Sequence, residues 1–219
     1  MNSALKAVVF DAGETLINER RLWKLWADWL HVPDNVLFSV LGAVIERGEH
    51  HHRVFEILQP GFELNRAREQ RRAQGQPDSI EAADLYPDAV DCVQALHKLG
   101  FRIGVAGNQP EDFEQIFRSF NLPLDLIASS ARWGLEKPSH AFFAKIASEL
   151  DLLPGSIAYV GDRLDNDILP AREAGFFTVF IRRGPWGFLH AKRAEADQAN
   201  LKIENLNELV QALVRSKPA

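Results

Sequence analysis

Leu5-Lys-Ala-Val-Val-Phe-Asp-Ala-Gly-Glu-Thr-Leu16 is the stretch on which the fold turns. Its apolar run, Ala7 to Phe10, is short, unbroken and rich in valine, which predicts a strand buried on both faces of a parallel sheet. The run stops at an acid, Asp11, followed by the small turn Ala12-Gly13 and then by Thr15. Ligands of open α/β sheets collect just beyond the carboxyl ends of such strands, so Asp11 stands where chemistry is usually done. An acid beside a small-residue turn is also ordinary turn chemistry. The stretch taken alone leaves both readings open.

Two kinds of segment follow. From Asn18 to Leu85 there is no strand-like run. Leu22, Trp23, Leu25, Trp26, Trp29 and Leu30 fall at helical spacing, as do Val36, Leu37, Val40, Leu41, Val44 and Ile45. Val54, Phe55, Ile57 and Leu58 make a third short element, and residues 66–74 form a charge-laced helix or loop broken at Gly75-Gln76-Pro77. From Tyr86-Pro87 onward helices alternate with strands, the strands predicted at 101–106, 124–128, 156–160 and 176–181. A weak strand at 200–203 and a helix at 206–214 close the chain. Such alternation argues for βαβ crossovers. The prediction is an α/β protein: a Rossmann-like parallel-sheet core from 1–17 and 86–219, interrupted by an α-helical cap domain at 18–85.

Bulk properties narrow the function classes. The chain has 219 residues, 46% hydrophobic and 25% charged, enough to bury a sizeable core. A net charge of −5 offers nothing global to nucleic acid or an anionic membrane, and neither is expected as a partner. The single cysteine, Cys92, excludes an internal disulfide and a cysteine zinc site, and is expected to be a buried thiol. The opening apolar run is too short for a signal peptide, and no stretch nears the ~18 apolar residues of a membrane span. A cytoplasmic protein is the expectation.

Three further stretches repeat the strand-end logic. Ile103-Gly-Val-Ala-Gly107-Asn108 ends a strand in a small turn, Glu136-Lys137-Pro138 opens a helix, and Gly161-Asp162-Arg-Leu-Asp165-Asn166-Asp167 ends a strand with three acids. Asp11 and Asp162 both emerge from carboxyl ends and can converge. Two carboxylates with carbonyl and water oxygens suit a magnesium ion, and a neighbouring lysine would neutralise a bound phosphate. Separately, the acids fit a helix N-terminus and Lys137 fits a solvated charge. Jointly the four stretches are much more specific.

In that order and spacing the chain resembles the haloacid dehalogenase-like hydrolase superfamily over nearly all its length. Val8-Val-Phe-Asp11-Ala-Gly-Glu-Thr15 resembles the first motif, Asn108 and its strand the second, Lys137-Pro138 the third, and Gly161-Asp162 through Asp167 the fourth. The resemblance implies a hydrolase in which Asp11 attacks phosphorus to form an aspartyl-phosphate. It implies Mg²⁺ held by Asp11, the Gly13 carbonyl, Asp162 and Asp167, with Lys137 fixing the nucleophile. It also implies that Asn108, Gly107 and Thr15 contact the substrate, a small phosphomonoester. Oligomeric state is left open.

Two departures stand out. Phosphatases of the superfamily carry a second Asp two residues after the nucleophile as general acid–base, and here that residue is Gly13. Its loss typically costs about 10²–10⁴-fold in rate, and Glu14 is the adjacent candidate substitute. Gly107 replaces the usual Ser or Thr of the second motif. Members lacking the second Asp include dehalogenases, for which Arg20, Arg21 and Arg53 are candidate halide binders, and phosphonatases, for which Lys24 is the candidate Schiff-base lysine. A slow metal- and phosphate-binding regulatory module is a further alternative. Trp23, Trp26 and Trp29 are read as helical core. His50-His51-His52 is read as a solvated turn, because consecutive helical residues point about 100° apart. Arg182-Arg183-Gly-Pro-Trp186-Gly follows the last main strand and could line the cleft or an interface, and is read as a basic turn carrying one packing tryptophan.

Overall fold

A computed structural model of the chain describes residues 5–216. It contains two compact units, one made of the chain up to Asn18 together with the chain from Leu85 on, the other of Glu19–Asp84. The first opens with β1 (Ala7–Phe10). The second holds α1 (Arg20–Trp29), α2 (Asp34–Glu46), α3 (Arg53–Leu58) and α4 (Leu64–Ala73). The alternation then runs α5 (Ala89–Lys98), β2 (Arg102–Gly107), α6 (Phe113–Ser119), β3 (Leu126–Ser129), α7 (Ser130–Trp133), α8 (His140–Glu149), β4 (Ile157–Gly161), α9 (Leu169–Glu173), β5 (Phe177–Ile181), α10 (Gly184–His190), β6 (Leu201–Ile203) and α11 (Leu206–Ser216).

All pairings in the sheet are parallel, in the order β3-β2-β1-β4-β5-β6. The four apolar residues of β1 are wholly buried because they are central: Val8 lies opposite Ile103 on one side and Ala158 on the other. Strand order reverses beside β1, between β2 and β4, which puts the topological switch point, and the crevice such sheets use for ligands, at the end of β1. Phe142, Phe143, Ile146 and Leu150 of the α8 segment pack on Val9 and Tyr159 in the core. Each large apolar side chain buried there stabilises by about 1.5–3 kcal/mol. The Tyr159 hydroxyl is satisfied within that core by donating to the Ala106 carbonyl at 2.8 Å.

In the helical unit Trp23 and Trp26 are buried and Trp29 half-buried, in line with a packing role. Phe55 stacks on Trp23 at 6.2 Å and meets Trp26 edge-on at 5.0 Å. Arg71, in the segment read as charged and surface-like, is 1% exposed, lies 4.3 Å over the Trp26 ring and pairs with Asp78. A further departure is α10, read as a basic turn. In α10 Pro185 sits in the first turn, where its missing N–H costs nothing, and Trp186 and His190 are buried.

Candidate active site

The turn after β1 is closed by its own backbone: Leu16 and Ile17 N–H groups donate to the Ala12 carbonyl at 3.0 and 2.9 Å, and Glu14 N–H donates to the Ile17 carbonyl at 2.7 Å. Asp11 is thereby held at the end of β1, 7% exposed. Lys137, arriving from the loop before α8, lies between two acids, its Nζ donating to Asp11 Oδ1 at 2.7 Å and to Asp167 Oδ1 at 2.6 Å. Burial alone would lower the lysine's pKa, but Asp11 and Asp167 more than offset it and hold the ammonium well above its usual value.

Asp162 follows β4 and is 1% exposed. Burial, then the charges of Asp167, Asp11 and Glu14, push its carboxyl well above the usual range. Its Oδ2 is buried and has no hydrogen-bond partner. One oxygen from each of Asp11, Asp162 and Asp167 lies within 4.8 Å of the others. A compact set of carboxylate oxygens with an orphaned acceptor, carrying more negative charge than one lysine cancels, fits a hard dication such as Mg²⁺. Asp167 is the most committed member, since Lys137 occupies Oδ1 and the Arg163 N–H donates to Oδ2 at 3.0 Å. Burial raises its pKa to about 6, against the opposing pull of Lys137.

Asn108, expected on the substrate, is tied to the backbone of Lys137. Its Nδ2 donates to the Lys137 carbonyl at 2.9 Å and its Oδ1 accepts from the Lys137 N–H at 2.8 Å. The amide is thus engaged by the lysine's backbone and positions Lys137. Gly107 acquires a reason as well: a Cβ there would fall on Asp11 Oδ1, the oxygen that Lys137 holds. Thr15 is wholly buried, its hydroxyl has no hydrogen-bond partner, and its carbonyl accepts from Arg183 Nη1 at 2.9 Å.

Glu14 is buried in a left-handed backbone conformation, φ 50°. It accepts a hydrogen bond from the Tyr86 hydroxyl at 2.5 Å, and its side chain fills the space beside Gly184 that a Cβ would need. Burial, then the Glu14 charge, keep the Tyr86 phenol well above its ordinary pKa and so protonated. Arg183 braces the pair: it lies 4.1 Å over the Tyr86 ring and pairs with Asp88, whose Oδ2 also accepts from the Leu206 N–H at 2.9 Å. His190 Nδ1 accepts from the Leu164 N–H at 3.0 Å and so steadies the loop between Asp162 and Asp167. Sequence reasoning missed Tyr86, Asp88 and His190 as site residues, and had Arg183 only within a stretch that could line the cleft. The one available signal was that Arg183 and His190 flank a Pro-initiated helix directly after a strand.

Other candidates are engaged elsewhere. Lys24 is exposed and pairs with Asp28 one helical turn away. Arg21 donates to Asp84 and to the Ser79 carbonyl, and Arg53 lies 3.8 Å from Glu49. The Cys92 thiol is buried, which pushes its pKa up to about 12 and leaves it unreactive. No helix among the described residues is long and apolar enough to cross a membrane.

The sequence pattern of the haloacid dehalogenase-like hydrolases matches residues 5–175. Among curated relatives, a glyceraldehyde 3-phosphate phosphatase of Methanopyrus kandleri is 28% identical over 94% of this chain and 96% of its own length. Another, of Methanocaldococcus jannaschii, is 33% identical over 57% of this chain and 54% of its own. Among solved structures, an L-2-haloacid dehalogenase from Xanthobacter autotrophicus superposes with a TM-score of 0.72 at 16% identity, covering 98% of this chain and 100% of that one. At that identity the likeness is one of fold.

Proposed function

The chain belongs to the haloacid dehalogenase-like hydrolases, and from that membership we propose that it is a phosphatase of a small phosphorylated metabolite, with Asp11 as nucleophile. The observation that carries the reading is the buried Lys137 ammonium, 2.7 Å from Asp11 and 2.6 Å from Asp167, beside the unpartnered oxygen of Asp162. The relatives named glyceraldehyde 3-phosphate phosphatases support phosphorus rather than carbon as the centre attacked, and a short phosphorylated aldehyde as the first substrate class to try. The engagement of Arg21 with Asp84 and of Lys24 with Asp28 gives no support to the dehalogenase or phosphonatase alternatives.

In this mechanism an Asp11 oxygen forms a bond to phosphorus as the bond to the leaving oxygen breaks. Lys137 orients that carboxylate and offsets charge on the phosphoryl group, while Asn108 fixes Lys137 and Asp167 holds its ammonium. Asp11, Asp162 and Asp167, with the Gly13 carbonyl, would hold Mg²⁺, which would supply further charge compensation. Water then attacks phosphorus as the bond to the Asp11 oxygen breaks, which releases phosphate and restores the Asp11 carboxylate, with Glu14 as the base that accepts the water's proton. A hydrogen bond donated by Tyr86 favours the carboxylate form, which suits Glu14 to the base's part more than to the acid's. The leaving oxygen then draws its proton from water, and slow turnover is the expectation.

The test is phosphate release from a phosphomonoester panel headed by glyceraldehyde 3-phosphate, with and without Mg²⁺, and with Asp11→Asn as control. Release that needs both Mg²⁺ and Asp11 supports the reading. Release no greater than that of Asp11→Asn would sink it.

A further inference from the structure

On a helix three consecutive histidines would diverge. Here His50, His51 and His52 lie in the turn between α2 and α3, and their rings converge, with centroids 4.4, 4.6 and 4.4 Å apart pairwise. The convergence overturns the geometric reason for reading the triplet as a solvated turn only. One ring nitrogen of each lies within 4.8 Å of the other two. Aromatic neighbours steady the rings: His51 meets Trp23 edge-on at 6.1 Å, and His52 lies 6.2 Å from Phe55. His52 also lines a pocket of 360 Å³ with Phe55, Glu56, Phe62 and Arg68, which gives the turn an open side.

We propose that His50, His51 and His52 form a site for one borderline transition-metal dication of the Zn²⁺, Ni²⁺ or Co²⁺ class, sharing no residue with the Asp11–Asp162–Asp167 cluster. Neutral imidazoles suit such metals, whereas a hard ion such as Mg²⁺ prefers oxygen. Arg68, a cation near His52, is itself paired with Asp78 at 3.4 Å. Tetrahedral coordination at 2.0–2.1 Å needs nitrogens about 3.3 Å apart, a closure that side-chain rotation in a turn can supply. A metal on His50 Nδ1 would displace only the long, 3.2 Å hydrogen bond from the His52 N–H. Three protein ligands leave the fourth position to water. The metal would also pin the turn that leads into α3.

The experiment uses the full chain without an affinity tag, with saturating Mg²⁺ and the Asp162→Asn background to silence the carboxylate cluster. Co²⁺ is titrated and its visible absorption followed, and Zn²⁺ is then used to displace it. One equivalent should give the intense bands of a low-symmetry nitrogen site. His50→Gln and His51→Ala should each weaken binding at least about tenfold, with circular dichroism confirming that the variants fold. Independently of any variant in the turn, one equivalent of Cu²⁺ should quench tryptophan fluorescence, because the Trp23 ring lies 6.1 Å from that of His51. Co²⁺ bands that survive both substitutions, or no quenching at equimolar Cu²⁺, would overturn the proposal.

Discussion

Replacing Lys137 by Met tests whether the buried ion triad behaves as its geometry requires. The side chain is 1% exposed and separates two carboxylates, Asp11 at 11% and Asp167 at 0%. Met fills nearly the same volume, so the cavity term is small and the loss is electrostatic. Removing one partner of a buried pair costs about 3–5 kcal/mol, because the remaining charge stays desolvated and uncompensated. Here two carboxylates are left, with Asp162 close by. The expected loss is therefore about 4 kcal/mol, or roughly 1–2 M in the urea midpoint. Lys137→Met/Asp167→Asn removes one of the stranded charges and should recover about half of that loss. The orphaned carboxyls would hold protons more tightly folded than unfolded. The variant's stability then falls as pH rises, and its deficit is larger at pH 8 than at pH 5. Urea unfolding followed by far-UV circular dichroism in EDTA measures all three quantities. A Lys137→Met protein within about 0.5 kcal/mol of the parent, or a double variant no more stable than the single one, would refute the reasoning.

Other substitutions probe the surrounding parts. Gly107→Ser restores the hydroxyl usual in phosphatases of the superfamily, yet its Cβ falls on Asp11 Oδ1; it should cost about 1–3 kcal/mol and lower phosphate release about 10²-fold, and an active, stable variant would show that Asp11 has room. Glu14→Gln should lower the rate by about 10²–10⁴-fold. Tyr86→Phe should lower it by only about tenfold, because Glu14 loses the donor that orients it at 2.5 Å; a rate equal to the parent's would disconnect the pair. His190, lowered by burial to about 4, is neutral in the fold and binds a proton more readily when unfolded. Its contribution to stability is complete above about pH 6.5 and is lost as pH falls toward 4, by up to about 3 kcal/mol, so the gap between parent and His190→Gln should narrow over that window.

The strand-end acids were legible because a buried parallel strand announces itself as an unbroken apolar run, and because the residue that ends it faces the sheet's crevice. The run Ala7 to Phe10 and the acids Asp11 and Asp162 carry that signal unaided. Lys137 was legible only through its motif, since Asp11 lies 126 residues away and no local pattern encodes their 2.7 Å contact. The bonds of the Asn108 amide to the Lys137 backbone were not legible, since they join residues 29 apart in the chain. Helix α10 was hidden because Gly-Pro-Trp-Gly has turn composition, which only tertiary burial of Trp186 and His190 overrides. The histidine triplet lies in a turn as read, but the helical period used to argue for it does not apply there, and the three rings converge instead of diverging. Arg71 shows that charge alone does not mark a surface, because its aliphatic and planar parts can be packed on an indole.

The centrality of β1 has a bearing on synthesis. This strand leaves the ribosome before both of its neighbours, β2 and β4, the second of which ends at Gly161. At about 5–20 residues per second, the ~150 residues between them take on the order of ten seconds or more to appear. Through that interval Ala7-Val-Val-Phe10 is a sticky apolar segment with at least one unpaired edge, the kind of segment that chaperones hold. Asp11 and Asp167 come to share Lys137 only once the chain has been made past β4, so the buried charge cluster assembles late, together with the sheet.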